Sequence, residues 1–152
     1  MNVFLSCTKE KMNKKCKAKD MYSPSSLFSK CYKYGKSLNP DKMYILSAKH
    51  HLLELDDIIE PYNLTLKDFS VEEKKEWTEK VLKMMKDKNI DFSEKCYFLC
   101  GDEYIEFLKD NFKNHECVFD GLGGIGEIMH WLDVQNKDIH ESLTNYLKKM
   151  LK

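Results

Sequence analysis

NVFLSCTKEKMNKKCKAKDMYSPSSLF, residues 2 to 28, passes from a β-rich apolar run through a lysine-studded loop to a helix start. Asn2 to Ser6 has the length and composition of a buried strand. Ser23 followed by Pro24 predicts an N-cap with proline at the first helical position. Leu27, Phe28, Cys31 and Tyr34 or Tyr32 then supply a helical face to about Leu38. Lys42 to Ser47 (KMYILS) is a second buried strand, which completes a β-loop-α-β unit.

The alternation continues along the chain. Ser70-Val71-Glu72-Glu73 forms a capping box ahead of Trp77, Val81, Met84 and Met85 at helical spacing. Cys96 to Cys100 (CYFLC) is a third strand that sets Cys96, Phe98 and Cys100 on one core face. Gly101 turns the chain into a helix on Tyr104, Ile105, Leu108 and Phe112, and Cys117 to Phe119 is a short fourth strand. GLGGIG at 121 to 126 leads to a helix on Ile128, Met129, Trp131 and Leu132, then to a last one on Ile139, Leu143, Leu147 and Met150. This order predicts one α/β, Rossmann-like domain over residues 1–152. It has a mostly parallel sheet of about four strands with helices on both faces.

A chain of 152 residues is long enough to bury one proper core. Its 25 cations balance 25 acids, so net charge selects no partner. The distribution does: Lys9, Lys11, Lys14, Lys15, Lys17, Lys19, Lys30 and Lys33 crowd one segment against only Glu10 and Asp20. Phosphate binding and a solvated lysine loop explain this pattern equally well. Every cation is Lys, which excludes bidentate guanidinium recognition and leaves point charges and backbone N–H groups to hold an anion. The six cysteines form no CxxC pair and no His is spaced to complete a zinc site, so no metal and no cofactor is expected. No charged leader precedes the first apolar run and no stretch approaches the roughly 20 apolar residues of a membrane span. The expectation is a cytoplasmic protein with reduced thiols and no membrane partner.

In a parallel sheet covered by helices, the loops leaving the carboxyl ends of the strands form the ligand crevice. Four segments are expected there: Cys7 to Ser26, Ser47 to Leu66, Gly101 to Tyr104, and Gly121 to Gly126. In the first, Ser6, Cys7, Thr8 and Lys9 make a small-residue turn suited to an anion, with Lys11 adding charge. Cys7 is a candidate nucleophile, although a buried thiol is the plainer role. Lys49, His50 and His51 follow the second strand. A histidine there suits proton transfer and a lysine suits phosphate binding or attack as an amine, and at most one of two adjacent histidines can face one ligand.

Pro61 stiffens Glu60-Pro61-Tyr62, and Glu60 is placed to activate water or stabilise a cationic sugar. Asp56 and Asp57 read as caps or ion-pair partners. Tyr22, Tyr62 and Tyr104 can stack on a base or pack beneath the loops. Ser23, Ser26, Ser47 and Gly101 complete the ligand-facing set. Gly121, Gly123 and Gly126 satisfy GxGxxG, and with Gly124 they suit a backbone turn that binds an anion or base. No later strand follows to supply the ribose-binding acid of a dinucleotide site.

The ordered motifs S-C-T-K, K-D-M-Y-S-P-S-S-L-F, I-L-S-A-K-H-x-L-L, I-x-P-Y, L-C-G-D-x-Y and G-L-G-x-G-x-x-x-x-W-L resemble a family of small bacterial and phage domains of unknown function, similar to the peroxide-stress protein YaaA. The match runs from about Asn2 to Leu132; the closing helix, 136–152, lies outside it. The first two blocks also resemble, distantly, the signature of archaeosine synthase. That resemblance implies nucleobase chemistry, with Cys7, Lys11, Tyr22, Ser23 and Ser26 carried over. Ser6 stands in place of the signature's proline, a lysine-rich insert separates Lys11 from Tyr22, and no histidine follows Ser26.

The expectation is therefore an enzyme acting on a nucleobase or nucleoside, within nucleic acid, by glycosylase-like or base-exchange chemistry. Its catalytic candidates are Glu60, Lys49, His50 and Cys7. The alternatives are a non-catalytic nucleic-acid-binding or stress-response module, and a hydrolase or transferase of a small free nucleotide. The partner is nucleic acid or nucleotide in each case, and no oligomeric state is assigned.

Overall fold

The computed structural model describes residues 1–151. β1 (Asn2–Ser6) is the centre of the sheet and pairs in parallel with β3 (Lys42–Ser47) on one side and β6 (Cys96–Leu99) on the other. β4 (His51–Glu54) and β7 (His115–Cys117) close the edges in the order β4-β3-β1-β6-β7. The sheet has five strands rather than about four, and it is mixed, because β4 runs antiparallel to β3. β4 escapes a reading by periodicity because its four residues bury two adjacent leucines between half-buried ends. β2 (Cys16–Lys17) and β5 (Ile58–Ile59) form a separate two-stranded ribbon. β7 lies two residues earlier than the fourth strand expected at Cys117 to Phe119.

The helices are α1 (Ala18–Met21), α2 (Ser26–Ser37), α3 (Val71–Asp87), α4 (Asp102–Ile105) and α5 (Ile125–Met150). α2 is capped by Ser25, whose hydroxyl accepts from the Phe28 N–H at 3.2 Å, and not by Ser23. The Ser23 hydroxyl instead donates to the Asp20 carbonyl at 2.7 Å, at the end of α1. α3 begins on the expected capping box of Ser70 and Glu73. The helix expected after Gly101 stops at Ile105 and gives way to a 3-10 turn at Lys109–Asn111, although Tyr104, Ile105, Leu108 and Phe112 are all buried. α5 is one continuous helix where two were expected, since its polar stretch 133–138 contains no Gly or Pro and forms a face instead of a break.

Strand alternation sorts the core. Phe4 stacks on Tyr44 and Phe98 at 5.5 and 5.3 Å, and Phe112 meets it edge-on. On the other face, α2 lies close over Val3, Met43 and Leu99 at Gly35, where a Cβ would sit 2.9 Å from Met43 Cε and 3.1 Å from Val3 Cγ1. α5 packs on α2 through Tyr34 and Trp131, through the Lys30–Asp133 ion pair, and through Asn136, whose Nδ2 donates to the Lys30 carbonyl at 3.3 Å.

Candidate functional site

The chain passes from β1 to β3 on one side and later to β6 on the other, so strand order reverses about β1. Loops leaving β1 and β6 diverge at such a point and open a crevice. Cys7 leaves β1 there, buried, with Sγ 3.0 Å from the Tyr104 hydroxyl carried by α4. The Gly101 N–H after β6 donates to Ser6 Oγ at 3.4 Å.

Beside them, the Tyr62 hydroxyl shares hydrogen bonds with Tyr22 Oη at 2.7 Å and Ser47 Oγ at 2.8 Å. Ser47 is fully buried at the end of β3; its hydroxyl accepts from the His50 N–H and its carbonyl accepts from Trp77 Nε1, both at 3.0 Å. The 47–66 stretch was expected to be one loop at this edge, and it is not. β3 reverses through Ala48, Lys49 and His50 into β4, with His51 in the left-handed region at φ 66. β4 carries the chain to the far edge, where Asp57 accepts from the Glu54 N–H at 2.8 Å and Asp56 faces Lys17 and Lys19 at 3.6 Å. Ile58 and Ile59 pair with β2, and the segment at Pro61 brings Tyr62 back to the crevice. Asp56 and Asp57 are thus engaged at the far edge, and Tyr62 returns to the hydroxyl cluster.

Two cations from separate loops meet the same ring: Lys11 Nζ lies 4.6 Å and Lys49 Nζ 6.0 Å from the Tyr62 centroid. Lys11 of the lysine-rich segment and Lys49 of the histidine-bearing turn therefore share one side of the molecule, whereas Lys17 and Lys19 face Asp56 at the far edge and Lys30 pairs with Asp133 on α5. Burial first, and the neighbouring Cys7 second, push the Tyr22, Tyr62 and Tyr104 hydroxyls above the ordinary phenol range, so all three stay neutral. Burial also lowers the Lys11 ammonium, against the opposing influence of Cys7. His50 is held below its usual value by burial and then by the Lys49 charge, its ring meets Tyr62 edge-on, and its Nε2 is buried with no hydrogen-bond partner among the described residues. His51 turns away and stacks on Trp77.

Other expected residues lie apart. Thr8 donates to the Glu10 carbonyl at 3.4 Å, and Lys9 is exposed, with its carbonyl accepting from Lys11 Nζ. Ser23 and Ser26 are exposed; Ser26 lines a groove of about 520 Å³ between α2 and α5 that shares no residue with the hydroxyl cluster. Glu60 is exposed and joins no hydrogen bond or ion pair among the described residues. Gly121, Gly123 and Gly124 are exposed ahead of α5, where the Glu127 carboxylate accepts from the Gly123 N–H at 2.6 Å. A side chain of the helix itself thus supplies the negative charge that its N-terminus favours. Trp77 sits in the site without having been singled out for it, because its spacing reads as core and only the fold aims its N–H at Ser47.

The cluster combines neutral hydroxyls, an unprotonated imidazole and two ammonium groups, a set that can bind an anionic ligand and move a proton. No helix among the described residues is long and apolar enough to cross a membrane. No curated protein and no solved structure matches the chain. Residues 3–134 match the family model DUF6884, and the chain belongs to that family, whose function is unknown.

Proposed function

We propose that the chain is an enzyme acting on a nucleobase or nucleoside within nucleic acid, by N-glycosidic chemistry of the glycosylase or base-exchange kind. The observation that carries this is the meeting of Lys11 and Lys49, from separate loops, over the ring of Tyr62, whose hydroxyl is tied to Tyr22 and Ser47. The ammonium groups hold phosphate as point charges. Tyr62, which is partly exposed, reads the base or sugar, and the buried Tyr22 and Ser47 hydroxyls orient its own. His50, neutral and with no hydrogen-bond partner on Nε2 among the described residues, takes the proton of the attacking water as the C1′–O bond forms, and the base leaves with the electrons of the C1′–N bond and takes a proton from solvent. Glu60, exposed two residues before Tyr62 and outside the hydroxyl cluster, is the carboxylate that would have to reach a cationic sugar. Reversal of strand order about β1 supports a Rossmann-like fold with its ligand at that point. The distant resemblance of the first two sequence blocks to the archaeosine synthase signature is what suggests nucleobase chemistry.

A base-release assay on modified and unmodified DNA and RNA tests this. Release by the natural chain is expected, with His50→Gln and Glu60→Gln losing turnover and keeping oligonucleotide binding. Unchanged turnover in Glu60→Gln removes that residue from the mechanism, and absence of release from every substrate removes the enzyme. One observation favours a non-catalytic nucleic-acid-binding module instead: Tyr22 is 0% exposed, so the hydroxyl cluster is closed as it stands. Oligonucleotide binding without release is the outcome that module predicts. Release from a free nucleotide but not from a polymer would point to a small-nucleotide hydrolase or transferase.

A further inference from the structure

α5 runs on past the part of the protein that supports it. Leu132 and Asn136 are buried at 0 and 7% exposure, but from Lys137 to Met150 every residue except Thr144 is exposed. A free helix of that length is marginal in water, so its stability calls for a partner. Ile139, Leu143, Tyr146 and Met150 follow one another at four, three and four residues, the spacing that keeps one apolar seam turned toward a partner helix. They are 39, 56, 60 and 66% exposed, and Leu147 widens the seam at 50%. The stripe continues the register of Leu132 and Asn136, so it extends a face already used for packing beyond the point where α2 covers it. The residues matched by the family model end at 134, just before the stripe becomes bare.

We propose that this seam pairs with the same seam on a second copy of the chain. Heptad spacing is self-complementary: two identical helices related by a two-fold axis present the same knobs and holes to each other. The charges permit it. Lys137 and Glu141 neutralise one another on the back of the helix at 4.0 Å, Ser142, His140 and Lys149 flank the seam, and an antiparallel pairing sets the two Lys149 ammonium groups at opposite ends. Covering five partly exposed apolar side chains buries on the order of 400 Å² on each copy. The pair then falls below the ~1,200 Å² at which specific interfaces reach standard size, which makes it a weak, reversible dimer. Its dissociation constant is set by the fit of the two seams and not by that area.

Sedimentation velocity on the full chain, from roughly ten micromolar to roughly one millimolar, covers the range of a weak, reversible dimer. The natural chain is expected to pass from monomer to dimer across the series. Leu143→Glu combined with Tyr146→Glu is expected to stay monomeric throughout with an unchanged near-UV circular dichroism spectrum, because both side chains are exposed and leave the core intact. Asn145→Glu, on the far side of the helix, is expected to dimerise as the natural chain does. A natural chain that stays monomeric overturns the proposal, whether or not it co-sediments with phosphatidylcholine–phosphatidylserine vesicles. A dimer that survives the double substitution overturns it as well.

Discussion

At the edge where β1 and β3 begin, the Met1 ammonium pairs with Asp41 and Glu94, while Glu54 meets Lys42 at 3.4 Å and Lys88 at 3.2 Å. At the edge where those strands end, Cys7, Tyr22 and Ser47 are buried, the thiol is tied to Tyr104 and the two hydroxyls to Tyr62, and His50 Nε2 has no partner among the described residues. The first edge keeps its charges in water, where each pair contributes at most about 1 kcal/mol and little is lost if it breaks. The second removes polar groups from water, and each must find a partner or carry a desolvation cost of about 1–3 kcal/mol. Stability alone would favour apolar side chains at the second edge. Its polarity is what the proposed function rests on.

Tyr62→Phe strikes this contrast hardest. It leaves the Tyr22 and Ser47 hydroxyls each without the partner they share, and a loss of about 1–3 kcal/mol is expected from the urea midpoint. A loss below about 0.5 kcal/mol, the range of ordinary surface substitutions, would mean that the hydroxyl is no structural link. At the opposite edge Glu54→Gln is expected to lower stability by about 0–1 kcal/mol, with the deficit shrinking in high salt. The Glu54 carboxyl is held below its usual range by Lys88 and then Lys42, so what it contributes is present above about pH 4.5 and lost as pH falls through the folded value. If the loss matched that of Tyr62→Phe, the two edges would not differ.

The smallest effect belongs to His50. Its folded pKa lies below the 6.5 of an unfolded histidine, so the unfolded chain takes up the proton first. The stabilising share is complete above about pH 6.5 and fades as pH falls through the folded value. His50→Gln is expected to flatten the fall of the urea midpoint between about pH 7 and pH 5, with His51, shifted the same way, leaving part of the slope. Identical slopes in the two proteins would assign the titration to His51 alone.

Local rules read the parallel core well. Asn2 to Ser6, Lys42 to Ser47 and the Ser70–Glu73 capping box all fall where composition and spacing put them, because each acts over a few neighbours. The site was half legible. Cys7, Lys11, Tyr22, Ser47, Lys49, His50, Tyr62 and Tyr104 were all marked by their place after strands, and they converge. Glu60 and the GLGGIG turn were marked by the same logic and stand apart from them. The acids after β3 are carried away by the hairpin into β4, set by a left-handed His51 that no pattern announces and by tertiary bonds such as Trp77 to Ser47, and the GLGGIG turn is closed by Glu127 of its own helix. An α5 without a break was hidden too, since a polar run inside a helix and a polar linker have the same composition.

Gly35 sets how near α2 can lie to the sheet, because three side chains occupy the space that a methyl group would need. α2 is a stiff rod whose far end, through Phe28, touches the ring of Tyr22 at 5.4 Å. A missing carbon deep under the strands therefore acts as a spacer gauge for the crevice: whatever fixes the rod's clearance also fixes how tightly the phenols above it close.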